Sequence, residues 1–158
     1  MSNGTGPRPV GARTTASSST FGTTTDDVEV LLPDTVIDRQ VEKRKDSTYS
    51  KERGCSSFLA NIPSFTISVN IGIIKPGGND GKHRHYYETL MFILEGRGYS
   101  VIEGEKVDWE AGDAIYLPPW SWHQHFNGDT QKELKYLATT NSPLLQNVGG
   151  IARREEAG

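Results

Sequence analysis

The chain has 158 residues, a net charge of −3 and basic residues that are scattered along its length. This length suits one domain with a single hydrophobic core, and the lack of a basic stripe argues against nucleic acid as a partner. Cys55 is the only cysteine, so an intramolecular disulfide is excluded and a reducing compartment is favoured. No apolar run approaches the ~20 residues of a membrane helix, and the N-terminus shows no signal-peptide core. We therefore expect a cytoplasmic protein without a membrane partner.

The first third of the chain is expected to lie outside the main domain. Residues 1–27 are rich in Ser, Thr and Gly, and such a stretch cannot bury enough surface to offset its ordering entropy. We expect a flexible N-terminal arm that is disordered or extended. Residues 28–32 predict a strand that ends at Pro33, and residues 35–45 predict a short helix. Residues 28–57 together are expected to form an extension that packs on the main domain.

From residue 65 to residue 73, apolar and polar side chains alternate. This period of two predicts a strand with one polar face and one core face, the latter formed by Phe65, Ile67, Val69, Ile71 and Ile73. Shorter apolar runs follow at 90–94, 98–103, 106–109, 114–117 and 134–140. Many short strands separated by turn residues predict an all-β, antiparallel sandwich or barrel.

All four histidines lie in two pairs of the same form, His83-Arg84-His85 and His123-Gln124-His125. In an extended strand the side chains at i and i+2 point to the same face, so each pair can aim two imidazoles at one point. Imidazole is a common ligand of transition metals. The two pairs therefore predict a metal site.

The glycines, the proline and the spacing around these pairs resemble the two sequence motifs of the cupin family. Gly77 stands six residues before His83, which matches G-x5-H-x-H, and the second motif, G-x5-P-x4-H-x3-N, is matched by Gly112, Pro118, His123 and Asn127. The resemblance covers about residues 64–142. It implies an antiparallel double-sheet jelly-roll (cupin) barrel. We place the cupin domain at residues 58–147 and a C-terminal tail at 148–158.

One position departs from the commonest cupin pattern, in which a glutamate four residues after the second histidine is a metal ligand. Thr89 stands there in this chain, and the neighbouring Glu88 has the opposite parity to the histidines, so it should point away from the metal. Arg84 should face away for the same reason. The predicted metal ligands are therefore His83, His85 and His123.

Within the cupins, the chain is most similar to the gentisate and salicylate ring-cleaving dioxygenases, which also lack the glutamate. They share the His-Arg-His triplet and the loop with Pro118, Trp120 and Trp122 before His123. In that family an arginine on the strand after the first histidine pair holds the substrate carboxylate, and the matching residue here is Met91. The resemblance thus predicts a substrate with less carboxylate character, such as a hydroquinone or a catechol.

The remaining candidate site residues each have two interpretations. His125 is either a catalytic acid or base beside the metal or a structural hydrogen-bonding residue. Trp120 and Trp122 either stack on the substrate or plug the mouth of the barrel. Met91, Thr89 and Tyr116 are expected to line the substrate space as its wall, and Asn127 is expected to serve a turn.

Three neutral imidazoles do not select one metal; Fe(II) is favoured by the resemblance, and Mn, Ni, Cu and Zn also fit. We expect a dioxygenase that acts on a small aromatic, enediol or diketone substrate with O2, in a homodimer. A metal-dependent isomerase, lyase or hydrolase is the first alternative, because a three-histidine metal also activates water. A non-catalytic small-ligand binder is the second.

Overall fold

A computed structural model describes residues 32–44, 50–51 and 54–158. The arm predicted at 1–27 and residues 28–31 of the predicted first strand lie outside these residues. In the ranges that are described, no helix is long and apolar enough to cross a membrane.

The described chain is built almost entirely from short strands. The strands are β1 (Ser56–Leu59), β2 (Ser68–Ile74), β3 (His83–His85), β4 (Thr89–Glu95), β5 (Arg97–Ile102), β6 (Glu105–Glu110), β7 (Ala114–Leu117), β8 (His123–Asn127), β9 (Leu134–Thr140) and β10 (Arg154–Glu156). One α-helix, α1 (Ser142–Asn147), follows β9. Among the described residues of the helix predicted at 35–45, one 3-10 turn forms, Val41–Lys43.

The strands form two five-stranded sheets in which every pairing is antiparallel. The order is β1-β2-β9-β4-β7 in the first sheet and β10-β3-β8-β5-β6 in the second. This confirms the predicted all-β, double-sheet architecture. A hydrophobic core fills the space between the sheets and contains Ile74, Met91, Ile93, Trp109, Ile115, Leu117, Leu134, Tyr136 and Ala138.

The prediction of which face of β2 enters the core was wrong. Asn70, Gly72 and Ile74 face inward, whereas Ile71 and Ile73 are only half-buried, and Phe65 and Ile67, which precede the strand, are exposed. The inner side of β2 carries polar and small residues because it borders a polar cavity. A Cβ at Gly72 would lie 2.1 Å from Cζ of Tyr136, so only glycine leaves room for that ring.

The segment predicted as a tail contributes a strand. Within residues 148–158, β10 pairs with β3 and covers the edge that β3 would otherwise expose. Two further backbone hydrogen bonds secure it, from Tyr86 N to Arg153 O at 3.0 Å and from Ala157 N to Lys82 O at 2.9 Å. The short strand that carries the first histidine pair thus has a partner on each side.

Candidate metal centre

Three buried imidazoles converge between the sheets. His83 and His85 come from β3 and His123 comes from β8, where His83 and His123 are directly paired across the strands. One ring nitrogen from each histidine lies within 4.8 Å of the others. Each side chain is at most 4% exposed. The alternation of side chains along both strands therefore brings together the three residues that the sequence proposes as ligands.

Backbone carbonyls fix the orientation of all three rings. The Nδ1 atoms lie 2.6 Å from Gly81 O for His83, 2.7 Å from Tyr87 O for His85 and 2.9 Å from Ser121 O for His123. A carbonyl only accepts, so each Nδ1 carries the proton and donates it. This tautomer leaves the Nε2 lone pair for a metal, which is the usual arrangement around histidine ligands.

The contact between two of these rings supports this interpretation. Nε2 of His123 lies 3.0 Å from Nε2 of His83, and in the tautomer above neither atom has a proton to share. Two lone pairs at this distance repel unless a cation lies beside them. Two nitrogens bound to one ion at about 2.0–2.1 Å stand about 3.0–3.4 Å apart. The donor set therefore fits a divalent metal.

Burial, then the electrostatic effects of His123 and Arg154, hold the pKa of His83 far below its ordinary value, so this ring is neutral. Burial also lowers the pKa of His125 to about 4. Neutral imidazole is the form that binds metals.

His125 faces the same space as His123 but stands outside the group of three. Its Nδ1 lies 2.7 Å from Oγ of Ser100, and that oxygen accepts the indole N–H of Trp109 at 2.8 Å. Ser100 is fully buried, so its own proton is left to donate to His125 Nδ1. The imidazole proton of His125 is thereby placed on Nε2. The hydroxyl of Ser100 therefore orients this ring.

A small cavity adjoins the imidazoles. Its free volume is about 30 Å³, which holds a water molecule but not an aromatic ring. Besides the four histidines, its lining includes Cys55, Ser57, Asn70, Asp80, Tyr87, Thr89, Met91, Leu117, Tyr136, Ala138 and Thr140. A larger ligand therefore requires wall side chains to move, and the unbranched Met91 is the most adaptable of them.

Two of the predicted wall residues lie where the sequence places them. Thr89 and Met91 are inward-facing neighbours on β4 and both line the cavity. Oγ1 of Thr89 is buried and has no hydrogen-bond partner in the described part of the chain. An unsatisfied buried hydroxyl costs free energy, so this atom is suited to bind a polar ligand group.

Tyr116, Trp120 and Trp122, the other three residues that the sequence proposes beside the substrate, do not line this cavity. Tyr116 is 49% exposed, and its hydroxyl donates to Oε2 of Glu88 at 3.2 Å on the outer face. Trp120 stacks on Tyr86 with ring centres 4.0 Å apart. Trp122 directly precedes β8, and the guanidinium of Arg84 lies over its ring. Contact of either tryptophan with a substrate stays a prediction.

The outward prediction for two charged residues is confirmed. Glu88 accepts hydrogen bonds from Tyr116 and Asn141 and takes no part in the histidine group. Arg84 forms an ion pair of 2.7 Å with Glu155, and its guanidinium carbon lies 4.1 Å and 4.5 Å from the ring centres of Trp120 and Trp122. The tryptophan loop thus packs on an arginine outside the sheet.

Sequence reasoning missed several residues of the site. Ser100 and Asn70 appear in the sequence only as polar members of alternating runs, which is a weak signal. Asp80 Oδ1 accepts the backbone N–H of His125 at 2.6 Å, a contact between distant segments that no local pattern indicates. Asn127 serves the predicted turn, because its Oδ1 accepts the backbone N–H of Asp129 at 2.9 Å. Its Nδ2 also donates to the carbonyls of Ile74, Lys75 and Lys132.

Two packed antiparallel sheets with a histidine group between them define the protein as one of the double-sheet folds to which the cupins belong. Residues 70–140 match the family model described as a cupin domain. Residues 70–140 are therefore similar to a cupin domain, in agreement with the motifs in the sequence.

Known proteins of two kinds resemble this domain. The 5-aminosalicylate 1,2-dioxygenase of Comamonas sp is 31% identical over 84 residues, or 53% of this chain and 22% of that protein. The 1-methylthio-D-xylulose 5-phosphate methylsulfurylase of Rhodospirillum rubrum is 34% identical over 70 residues, or 44% of each protein. The chain spans less than half the length of these relatives.

A solved structure shares the fold. The salicylate 1,2-dioxygenase of Pseudaminobacter salicylatoxidans superposes with a TM-score of 0.59 at 16% identity, over 65% of this chain and 30% of that one. At this identity the likeness concerns the fold alone.

Proposed function

We propose that the protein is an Fe(II)-dependent dioxygenase that acts on a small aromatic, enediol or diketone substrate. The observation that carries this proposal is the set of three buried imidazoles, each oriented by a backbone carbonyl, in a group that includes no carboxylate among the described residues. The likeness to the 5-aminosalicylate 1,2-dioxygenase supports it.

The charge of the donor set bears on the substrate. His83, His85 and His123 would hold the ion as neutral ligands, so its full positive charge favours an anionic or chelating substrate. When bound, Fe(II) supplies Lewis acidity and the redox capacity that reaction with O2 requires. Mn, Ni or Zn would also fit these three nitrogens.

Two other residues are assigned roles toward the substrate. The hydroxyl of Thr89, which lacks a partner in the described structure, donates a hydrogen bond to a substrate oxygen. His125 presents its Nε2 proton to the same ligand and moves a proton during the reaction, with Ser100 holding its ring. Met91, Leu117 and Ala138 form the apolar wall that excludes water.

The test is oxygen uptake by Fe(II)-loaded protein with gentisate, salicylate, catechol and hydroquinone. We expect uptake with at least one of them and a loss of both metal and activity in His123→Ala. The variant Tyr116→Phe, changed on the outer face, is the matched control and should keep both. Absence of uptake with all four compounds at full iron content would refute the proposal.

A metal-dependent enzyme that does not use O2 is the second candidate. The observation that favours it is the likeness to the methylsulfurylase of Rhodospirillum rubrum, at 34% identity over 70 residues. Elemental analysis of protein purified without added metal separates the two. Zinc or nickel at full occupancy without iron would favour this candidate.

The homodimer and the cytoplasmic location expected from the sequence stay predictions. Light scattering on the purified protein gives the oligomeric state directly.

A further inference from the structure

A second cationic group shares the inner face of the histidine strand. In the antiparallel pairing of β10 with β3, Arg154 lies opposite His85 and Glu156 lies opposite His83. Directly opposed residues project to the same side of a sheet. The intervening pair, Arg84 and Glu155, forms its ion pair on the outer side. Arg154 therefore belongs to the face that carries the imidazoles.

The guanidinium of Arg154 is only partly satisfied. Its Nε donates to Oε1 of Glu156 at 2.6 Å. Nη1 and Nη2 are buried and have no hydrogen-bond partner within the described residues. Leaving charged N–H donors buried and unpaired is costly. The structure thus contains a buried pair of donors that requires an acceptor.

The chemistry of these donors defines the acceptor. The edge formed by Nη1 and Nη2 is planar and presents two parallel N–H bonds, which match the two oxygens of a carboxylate. The pairing with His85 places this cation on the face that carries the histidines. The geometry therefore points to an anion on that face.

We propose that Arg154 binds the anionic group, a carboxylate by preference, of the small molecule held at the three-histidine centre. The inference deepens the proposed function and rests on it, because the ligand is the one that the centre holds. It replaces the expectation of a substrate with little carboxylate character, which depended on Met91 alone. The cationic side chain is then Arg154 on β10, whereas the similar dioxygenases have their arginine at the position of Met91 on β4.

The test compares two ligands that differ in charge and little in shape, gentisate and its uncharged amide, 2,5-dihydroxybenzamide. Calorimetry on Fe(II)-loaded protein without O2 gives the dissociation constant of each, independently of turnover. The wild-type protein should bind gentisate more tightly. Arg154→Gln should weaken gentisate binding about ten- to hundredfold, as expected when charge-assisted hydrogen bonds are lost, and should change amide binding little.

The neighbouring arginine supplies the matched control. Arg153 is exposed and pairs with Glu155 on the outer side, so Arg153→Gln should leave both dissociation constants unchanged. Should Arg154→Gln fail to fold, Arg154→Lys keeps the charge and loses the planar fork. It should then reduce the preference for gentisate over the amide severalfold. An unchanged preference in these Arg154 variants would overturn the assignment.

The outcomes separate this inference from the proposed function. Binding of gentisate that depends on Arg154, without oxygen uptake with any of the four compounds, supports the assignment and refutes the dioxygenase. Oxygen uptake with hydroquinone or catechol, and no preference for the acid, refutes the assignment and supports the dioxygenase. Failure of the wild-type protein to bind either compound refutes the assignment of Arg154.

Discussion

Replacement of Ser100 by alanine tests the hydrogen-bond chain that orients His125. Ser100 Oγ accepts from Trp109 Nε1 and donates to His125 Nδ1, and the hydroxyl is fully buried. Its removal leaves two buried polar groups without a partner, each at about 1–3 kcal/mol. The free energy of unfolding should therefore fall by about 2–6 kcal/mol. The ring of His125 also loses the contact that places its proton on Nε2.

The assay is urea unfolding followed by tryptophan fluorescence, with a chelator present so that metal binding adds no stability. Ser56→Ala, changed on the half-buried outer side of β1, should alter stability by less than about 0.5 kcal/mol. Ser100→Ala should keep full metal content, because backbone carbonyls hold the three ligand rings. It should lose oxygen uptake, because the ring of His125 is no longer oriented. A stability change as small as that of the control would refute the role given to Ser100.

Three further predictions concern the metal, the packing and the pH response. Glu88→Gln should keep the full metal content that His123→Ala loses, as measured by elemental analysis, because the carboxylate lies on the outer face. Gly72→Ala should destabilise the fold by about 1–3 kcal/mol in urea unfolding, since its methyl group overlaps the ring packed above it. Hydrogen bonds from Arg84 lower the pKa of Glu155 in the folded state. The stabilisation of the folded state by ionised Glu155 is therefore present above the unfolded pKa of about 4.5 and is lost as the pH falls through the folded pKa. In Glu155→Gln, the free energy of unfolding should therefore depend less on pH in that range.

The arrangement of the histidines could be predicted because it depends on local geometry. A strand alternates its side chains, so H-x-H fixes two rings on one face, and it also fixes Arg84 and Glu88 on the other. The structure confirms both outward positions. The two-sheet fold follows from the same alternation, repeated in many short runs.

Alternation alone does not say which face is the inner one. In β2 the apolar face was taken for the core, yet the inner side carries Asn70 and Gly72 because it borders a polar cavity and a tyrosine ring. Trp120 lies between β7 and β8 with a backbone angle φ of 64°, and its ring stacks on Tyr86. Contacts between distant segments, which alternation does not describe, determine both arrangements.

The cation at the centre could not be found from the sequence, because it depends on a pairing between distant segments. Arg154 lies in a charged stretch near the end of the chain, where Arg153 and Glu155 alternate with it and with Glu156. Only the register with β3 shows that Arg154 and Glu156 face the imidazoles and that the other two do not. A charged stretch with ordinary composition thus divides into an outer ion pair and an inner anion site.

The charges of the site act together on one ligand. Three neutral imidazoles leave a divalent ion uncompensated, and the guanidinium adds a positive charge from β10. Asp80 and Glu156 offset part of this charge, but their oxygens are engaged by the His125 amide and by Arg154 Nε. A diphenol gains from the ion alone and only after it loses a proton, whereas a hydroxy acid already carries its charge and gains from both. Preference for an acid should therefore be set by the distance between ion and guanidinium, and the adaptable wall at Met91 should set which ring enters.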